Sequence, residues 1–307
     1  TDRVGRNDNF FMLGGHSLLV VKLTGIVRSR LGLDMKMRTL FEAPTIAELV
    51  QRICGKSADN SEVAFNVLLP LKSKGNRSPV FCIHPIFGLS WSFFGLSKHL
   101  HSEQPLFGLQ SRGINGDGQP ASSIGEMVQD YMDQIVKVQS QGPYHLLGWS
   151  FGGSIAHSLA AHFEKLGETV GLLTLLDSTP DYSDIPDDID VDQGRDLYTE
   201  HLVRSSDNSS IEERKALWEK TQHVYRNNLR LAKQFSPSFY SGDMVFFRAA
   251  DSAVDPSAWA QFTQGKIELH AIDWNHLEMD KPGSLEEIGR VVAVKLEESH
   301  QRQTLDV

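Results

Sequence analysis

The sequence predicts an α/β protein, a parallel sheet with helices on both faces, preceded by a small all-α unit. Three observations carry this. From Pro79 onward, short unbroken apolar runs alternate with longer stretches of helical periodicity. Where one such run turns into a helix, a serine stands between glycines in LGWSFGGSIAHSLAAHF, residues 147–163. A polar seam, KSADNSE at residues 56–62, sets off an N-terminal segment of different charge. Strands buried on both faces read as continuous apolar runs, and helical crossovers join such strands in parallel.

In the N-terminal segment, residues 17–30 place Leu18, Val21, Leu23 and Val27 at helical spacing, and APTIAELVQRI (43–53) is a second helix opened by Pro44 and Thr45. After the seam, PVFCIHP predicts a strand and WSFFGLSKHL a helix. PLFGLQ is a strand, SIGEMVQDYMDQIVKVQ a long helix and YHLLGW a strand. SIAHSLAAHFEKLG is a helix and VGLLTLLD a strand. GDMVFFRAA and KIELHAID supply two late strands, and LEEIGRVVAVKLEE the closing helix. Residues 181–240 break the rhythm with charged helical sequence, EERKALWEKTQHVYRNNLRLAK, and no strand. An insertion of this kind in an α/β sheet is expected to be a helical lid over the strand C-termini.

At 307 residues the chain can bury one large core plus a small one. Hydrophobic residues at 40% and charged residues at 22% are those of an ordinary globular protein. The net charge of −9 gives no electrostatic basis for binding nucleic acid or an anionic membrane. Residues 1–54 hold 8 Lys and Arg against 5 Asp and Glu, which leaves 22 against 34 for the rest. The opening TDRVGRNDN lacks the apolar core of a signal peptide, and no apolar run approaches the roughly 18 residues of a membrane span. Cys54 and Cys82 form no CxxC and no metal-ligand spacing. Two free thiols in a reducing, cytoplasmic compartment are expected.

Gly148-Trp149-Ser150-Phe151-Gly152 matches G-x-S-x-G between a strand and a helix. This is the nucleophile turn of the α/β-hydrolase fold. Flanking glycines remove side chains that would clash at a sharp bend, so the Ser150 hydroxyl stands clear. The amide of Phe151, at the helix start, is one candidate donor to an oxyanion. The other should come from the loop FCIHPIFG, where Pro85 and Gly88 bracket Ile86, whose N–H is the candidate. A serine needs a base and an acid, which in this fold follow it in the order acid, then histidine.

Two carboxylates end strands. Asp177 closes VGLLTLLD directly, whereas two alanines separate Asp251 from the apolar residues of its strand, so Asp177 is preferred. Asp273 reads as a loop carboxylate. Of twelve histidines, His276 lies past the last strand and before the last helix, where this fold delivers its base. His157 and His162 fall within the helix after Ser150, His99 and His101 near a helix end, and His270 inside a strand.

In Gly14-Gly15-His16-Ser17-Leu18 a serine opens a helix, which by itself describes an N-cap. DNFFMLGGHSLLVVKL, residues 8–23, however resembles the attachment segment of peptidyl carrier domains from nonribosomal peptide synthetases, and FEAPTIAEL their later helices. Acyl-type carriers more typically show Asp at the position of His16. The resemblance implies a covalent 4'-phosphopantetheine on Ser17, placed there by a phosphopantetheinyl transferase. Such domains begin with a long helix that nothing before Asn9 supplies, so the carrier is expected to be incomplete, with a thin core.

The remainder resembles the terminal thioesterase domains of such synthetases through FCIHPIFG, GPYHLLGWSFGG, LLTLLDS and NHLEM. The likeness is closest to siderophore-type systems such as enterobactin synthase. In that family the acid follows the strand after the nucleophile helix, which supports Asp177. The expected organisation is therefore a carrier at 1–54, a linker at 55–64 and a thioesterase at 65–307 with its lid at 181–240. The implied partners are upstream condensation and adenylation domains and a peptidyl thioester substrate. The activity implied is release through an acyl-Ser150 intermediate, by hydrolysis, macrocyclisation or oligomerisation. A free-standing esterase or lipase, and a non-catalytic carrier or docking module, are the alternative readings.

Overall fold

A computed structural model describes residues 4–15, 17–31, 35, 39–40, 43–54, 65–114, 118–184 and 211–305. The expected linker, 55–64, and residues 185–210 of the expected lid lie outside that set.

Among the described residues the N-terminal unit includes the helices α1 (Ser17–Leu31) and α2 (Ile46–Cys54). Thr45 opens α2 by a reciprocal pair of bonds: Glu48 N–H donates to Thr45 Oγ1 (3.2 Å) and Thr45 N–H donates to Glu48 Oε2 (3.2 Å). Among the described side chains of α1, Val20 is fully buried.

The large domain is built on seven strands, β1 (Leu68–Lys72), β2 (Val80–Ile83), β3 (Leu106–Leu109), β4 (Tyr144–Trp149), β5 (Val170–Leu176), β6 (Met244–Arg248) and β7 (Ile267–Ala271). They lie in the order β1-β3-β2-β4-β5-β6-β7. β2, β3 and β4 are buried along their whole length, as their unbroken apolar sequences require. Every neighbouring pair is parallel except β1 with β3. The expectation of a wholly parallel sheet is thereby corrected. The strand it missed, LLPLK, contains Pro70, which lacks a ladder donor. β1 tolerates it because it is an edge strand with one neighbour only.

Four long helices accompany the sheet: α3 (Ile124–Val138), α4 (Phe151–Lys165), α5 (Ile211–Lys233) and α6 (Pro282–Leu305). Side chains of α3 and α4 share one core with β2, β4 and β5, among them Tyr131, Ile135, Ile155 and Leu159. Leu285, Ile288, Val292 and Leu296 of α6 close the other face over Cys82, Leu147 and Phe247. Among the described residues no helix is long and apolar enough to cross a membrane.

WSFFGLSKHL, expected as a helix, forms one of 3-10 type over Trp91–Lys98. The reason is the spacing of its contacts. In a 3-10 turn, residues three apart stand in line. Trp91 lies against Phe65 (ring centroids 5.2 Å apart), Phe94 stacks on Phe11 (4.1 Å, 10°), and the Ser97 hydroxyl reaches the Met12 sulfur at 3.6 Å. Phe94 and Ser97 of this row thus meet the N-terminal unit and Trp91 the chain just before β1, while Phe93 and Leu96 serve the core beneath α6. A ring stack such as Phe11 on Phe94 contributes about 0.5–1.5 kcal/mol beyond the area it buries.

Histidines 84, 145 and 157 are all in the core, and burial lowers each pKa from 6.5 to about 4. Between those values the unfolded chain binds more protons than the folded one, so stability rises with pH there. The contribution is complete above about pH 6.5 and is lost as the pH falls toward about 4. Each histidine can contribute up to about 1.4 kcal/mol per pH unit across that window. Thermal melts are expected to show a Tm that is level near neutrality and drops on acidification below about pH 6.5. A Tm unchanged down to about pH 5 would contradict this burial.

Candidate active site

Ser150 follows β4 and precedes α4 with φ 56° and ψ −124°, a left-handed conformation that costs on the order of 1–3 kcal/mol for a residue with a Cβ. The bend is held by Ser150 N–H donating to Leu176 O (2.8 Å). The flanking glycines are required by backbone approach. A Cβ on Gly148 would lie 2.1 Å from the Gly152 carbonyl oxygen, and one on Gly152 would lie 2.3 Å from that of His84. Ser150 stands at the N-cap of α4, yet its side chain makes no capping bond. Its hydroxyl is directed elsewhere.

That hydroxyl lies 3.1 Å from His276 Nε2, and His276 Nδ1 lies 2.6 Å from Asp177 Oδ2. With the Nδ1–H donating to the carboxylate, Nε2 presents a lone pair to the serine proton. The Asp177 side chain is 1% exposed and that of His276 33%, so the carboxylate is sealed and the imidazole faces outward. Burial pushes the Asp177 carboxyl up, but its bond to His276, the charge of that ring, and bonds from Ser252 and the Ala249 N–H (3.1 Å) outweigh it. Its pKa is held below the usual aspartate value. Like Ser150, Asp177 has a positive φ, 45°.

His276 opens a short 3-10 turn, His276–Glu278, capped reciprocally by Asn275 and Glu278. Its backbone N–H donates to Asp251 Oδ1 at 2.8 Å. The two carboxylates weighed from sequence thus meet the same histidine at different atoms: Asp177 holds the ring and Asp251 the backbone. Sequence gives no signal for that second contact. Asp273 is exposed. His270 stacks on Phe247 (5.2 Å) and meets Glu268 (3.0 Å), while Trp149, beside Ser150, packs toward the His276 ring (6.0 Å).

Ile86 is half-buried in the loop after β2, and Phe151 begins α4. Neither N–H is bonded to another described residue. Above this edge, α5 is stitched down by side chains that reach backbone atoms of the loops after β2 and β3. His223 Nε2 meets Gly113 O (2.9 Å), Asn227 donates to Ala121 O (2.8 Å), Asn228 to Ile86 O (3.0 Å) and Arg230 to Ser122 O (2.9 Å). These loops leave the C-terminal ends of the strands, the same edge that carries Ser150, Asp177 and His276.

In the N-terminal unit, Ser17 is the first residue of the fifteen-residue α1. Gly14 before it has a φ of 100° and open space where a side chain would stand, and Gly15 lies so close to Phe10 that a Cβ would fall 2.3 Å from its ring. The dipole of a helix favours negative charge at its start.

Sheet order, the glycine-flanked turn after β4 and the relay at its edge define an α/β-hydrolase fold. The chain belongs to the thioesterase domain family, which matches residues 78–294, and residues 1–53 match the phosphopantetheine attachment site. Together they form a carrier–thioesterase pair of the nonribosomal peptide synthetase kind, with phosphopantetheine as the carrier's covalent cofactor. Malpibaldin synthetase of Mortierella alpina is 52% identical over 97% of this chain and 6% of its own length. Enterobactin synthase component F of Escherichia coli (strain K12) is 28% identical over 94% of this chain and 23% of its own. The chain therefore spans less than a quarter of either relative. The crystal structure of a holo four-domain nonribosomal peptide synthetase bound to AMP and glycine shares the fold (TM-score 0.68, 24% identity), covering 95% of this chain and 24% of that one.

Proposed function

We propose that this carrier–thioesterase pair releases a peptidyl thioester through an acyl intermediate on Ser150. The observation that carries the reading is the continuous relay from Asp177 through His276 to Ser150, at 2.6 and 3.1 Å. Ser17 is the proposed attachment site, and the arm it would hold supplies the thioester linkage and the thiol leaving group.

In this reading Ser150 Oγ attacks the thioester carbonyl carbon while His276 Nε2 takes its proton. Asp177 stabilises the imidazolium that results. The N–H groups of Ile86 and Phe151 bind the developing oxyanion, each donor of this kind contributing about 2.7–4 kcal/mol to the barrier. The carbon–sulfur bond breaks and the thiol leaves with the proton from His276. The acyl-Ser150 ester is then cleaved, with His276 as base again, by water or by a hydroxyl or amine of a peptide. Water yields a linear acid, an internal nucleophile a macrocycle, and a second chain an oligomer. α5 acts as a lid element that admits or excludes water. Condensation and adenylation domains supply the peptide, a phosphopantetheinyl transferase loads Ser17, and the setting is cytoplasmic.

The reading is tested with coenzyme A, a phosphopantetheinyl transferase and a synthetic peptidyl thioester. Intact-protein mass spectrometry is expected to show the carrier loaded in wild type and unloaded in Ser17→Ala. Product mass spectrometry then distinguishes linear acid from macrocycle. A Ser17→Ala protein that still gains the arm would overturn the attachment site.

A further inference from the structure

The loop that carries Ile86 is held in an unusual way. The N–H of Ile86 belongs to the Pro85–Ile86 peptide, whose carbonyl oxygen accepts from His84 Nδ1–H (2.6 Å) and from Gly88 N–H (3.0 Å). The next peptide, Ile86–Phe87, is held by its own carbonyl, which accepts from Asn228 Nδ2 (3.0 Å). Both peptide planes flanking the Ile86 Cα are therefore pinned. In a planar trans peptide the N–H points opposite to the C=O. Fixing the Pro85 oxygen thus fixes the direction of the Ile86 N–H, and fixing the Ile86 oxygen holds the adjoining plane that meets it at the Ile86 Cα.

The donors are themselves oriented. Asn228 Nδ2 also donates to Ser111 Oγ (3.1 Å), and the hydroxyls of Ser111 and Tyr131 lie 2.9 and 2.5 Å from His84 Nε2. Burial lowers the pKa of His84 to about 4, so near neutrality Nε2 is an acceptor and Nδ1 carries the proton. His84, Ser111, Tyr131 and Asn228 are all buried. Apolar packing would also hold a loop at this place, but not the angle of its peptide planes; directed hydrogen bonds do that. The same helix covers the next two residues. Phe87 stacks on Tyr225 (5.3 Å, 17°), and a Cβ on Gly88 would fall 2.6 Å from Val224 Cγ1. Residues 224, 225 and 228 of α5 thus press on residues 86, 87 and 88 in one contact.

We infer that His84 and Asn228 are positioning residues which aim the Ile86 N–H at the oxyanion, so that the seating of α5 and the competence of the oxyanion site are one property. The inference rests on the reading of Ile86 as an oxyanion donor. A helix that lifts would withdraw Asn228 and free the Ile86–Phe87 peptide, leaving the Ile86 N–H braced on one side only, through the Pro85 carbonyl. The site would then bind a thioester and fail to stabilise its tetrahedral state.

The experiment measures kcat and KM on a peptidyl N-acetylcysteamine thioester, and the inhibition constant of the matching peptidyl trifluoromethyl ketone, whose adduct with Ser150 carries the oxyanion. Asn228→Leu and His84→Leu are expected to lower kcat by about 10–100-fold with KM nearly unchanged, and to weaken the ketone by the same factor. His84→Asn, which keeps an N–H near the position of Nδ1, should retain more activity than His84→Gln, which keeps one near Nε2. That comparison decides the matter if the leucine variants do not fold. Unchanged kcat in the leucine variants, a change confined to KM, an unaltered ketone affinity, or His84→Gln matching His84→Asn would each overturn the brace. Ile86→Pro removes the N–H itself. Full activity in that variant would sink the oxyanion reading and the brace with it. An inactive Ile86→Pro beside fully active brace variants would sink the brace alone.

Discussion

Ser150→Ala is expected to lower release from a peptidyl thioester by about 10⁴–10⁶-fold and to abolish labelling by a fluorophosphonate probe. The size follows from the geometry: among the described residues the serine oxygen is partnered by His276 Nε2, and without it the relay has no nucleophile to activate. Residues of such a relay act as a unit, so what remains comes from binding and the oxyanion donors. The same variant should hardly change stability. An N-cap serine ordinarily contributes about 1 kcal/mol through its capping bond. Ser150 makes no such bond, so alanine loses none. Its Tm is expected to stay close to that of wild type. Fluorophosphonate labelling that persists in Ser150→Ala would show that the reacting group lies elsewhere.

The second large effect separates two carboxylates. Asp177→Asn should lower kcat by about 10⁴-fold, because an amide can offer an N–H to His276 Nδ1 and hold the ring in the wrong tautomer. Asp251→Asn should cost no more than about tenfold. The atom at stake there is a carboxylate oxygen accepting from the His276 backbone, and an asparagine oxygen can accept the same N–H. Steady-state kinetics of both variants on one substrate makes the comparison, and a larger loss in Asp251→Asn would reverse the assignment. Asp177 keeps its charge to lower pH than an ordinary aspartate, so acidification is not expected to disable the acid before the rest of the protein responds.

How far these features could be read from sequence varied with their physical origin. The turn at Ser150 was legible because Gly148 answers a local demand, the Gly152 carbonyl passing 2.1 Å from where a side chain would stand. The second helix of the N-terminal unit was legible through Thr45 and Glu48, three residues apart. β1 was not, because Pro70 argues against a strand and only an edge position excuses it. The 3-10 form of Trp91–Lys98 was also hidden. Its aromatic residues suit either helix, and the choice follows from partners on Phe11 and Phe65.

The distinction reaches into the site. Strand and helix identity, the glycine-flanked bend and the position of His276 behind the last strand follow from periodicity, glycine placement and chain order, all of which are written along the chain. Which carboxylate meets the ring, which meets the backbone, and how Asn228 comes to hold the carbonyl of Ile86 are matters of closure in space. Asn228 and Ile86 are 142 residues apart, and hydrogen bonds fall away within tenths of an ångström. No pattern along a chain encodes that distance; only the packing of α5 across the strand ends brings it about.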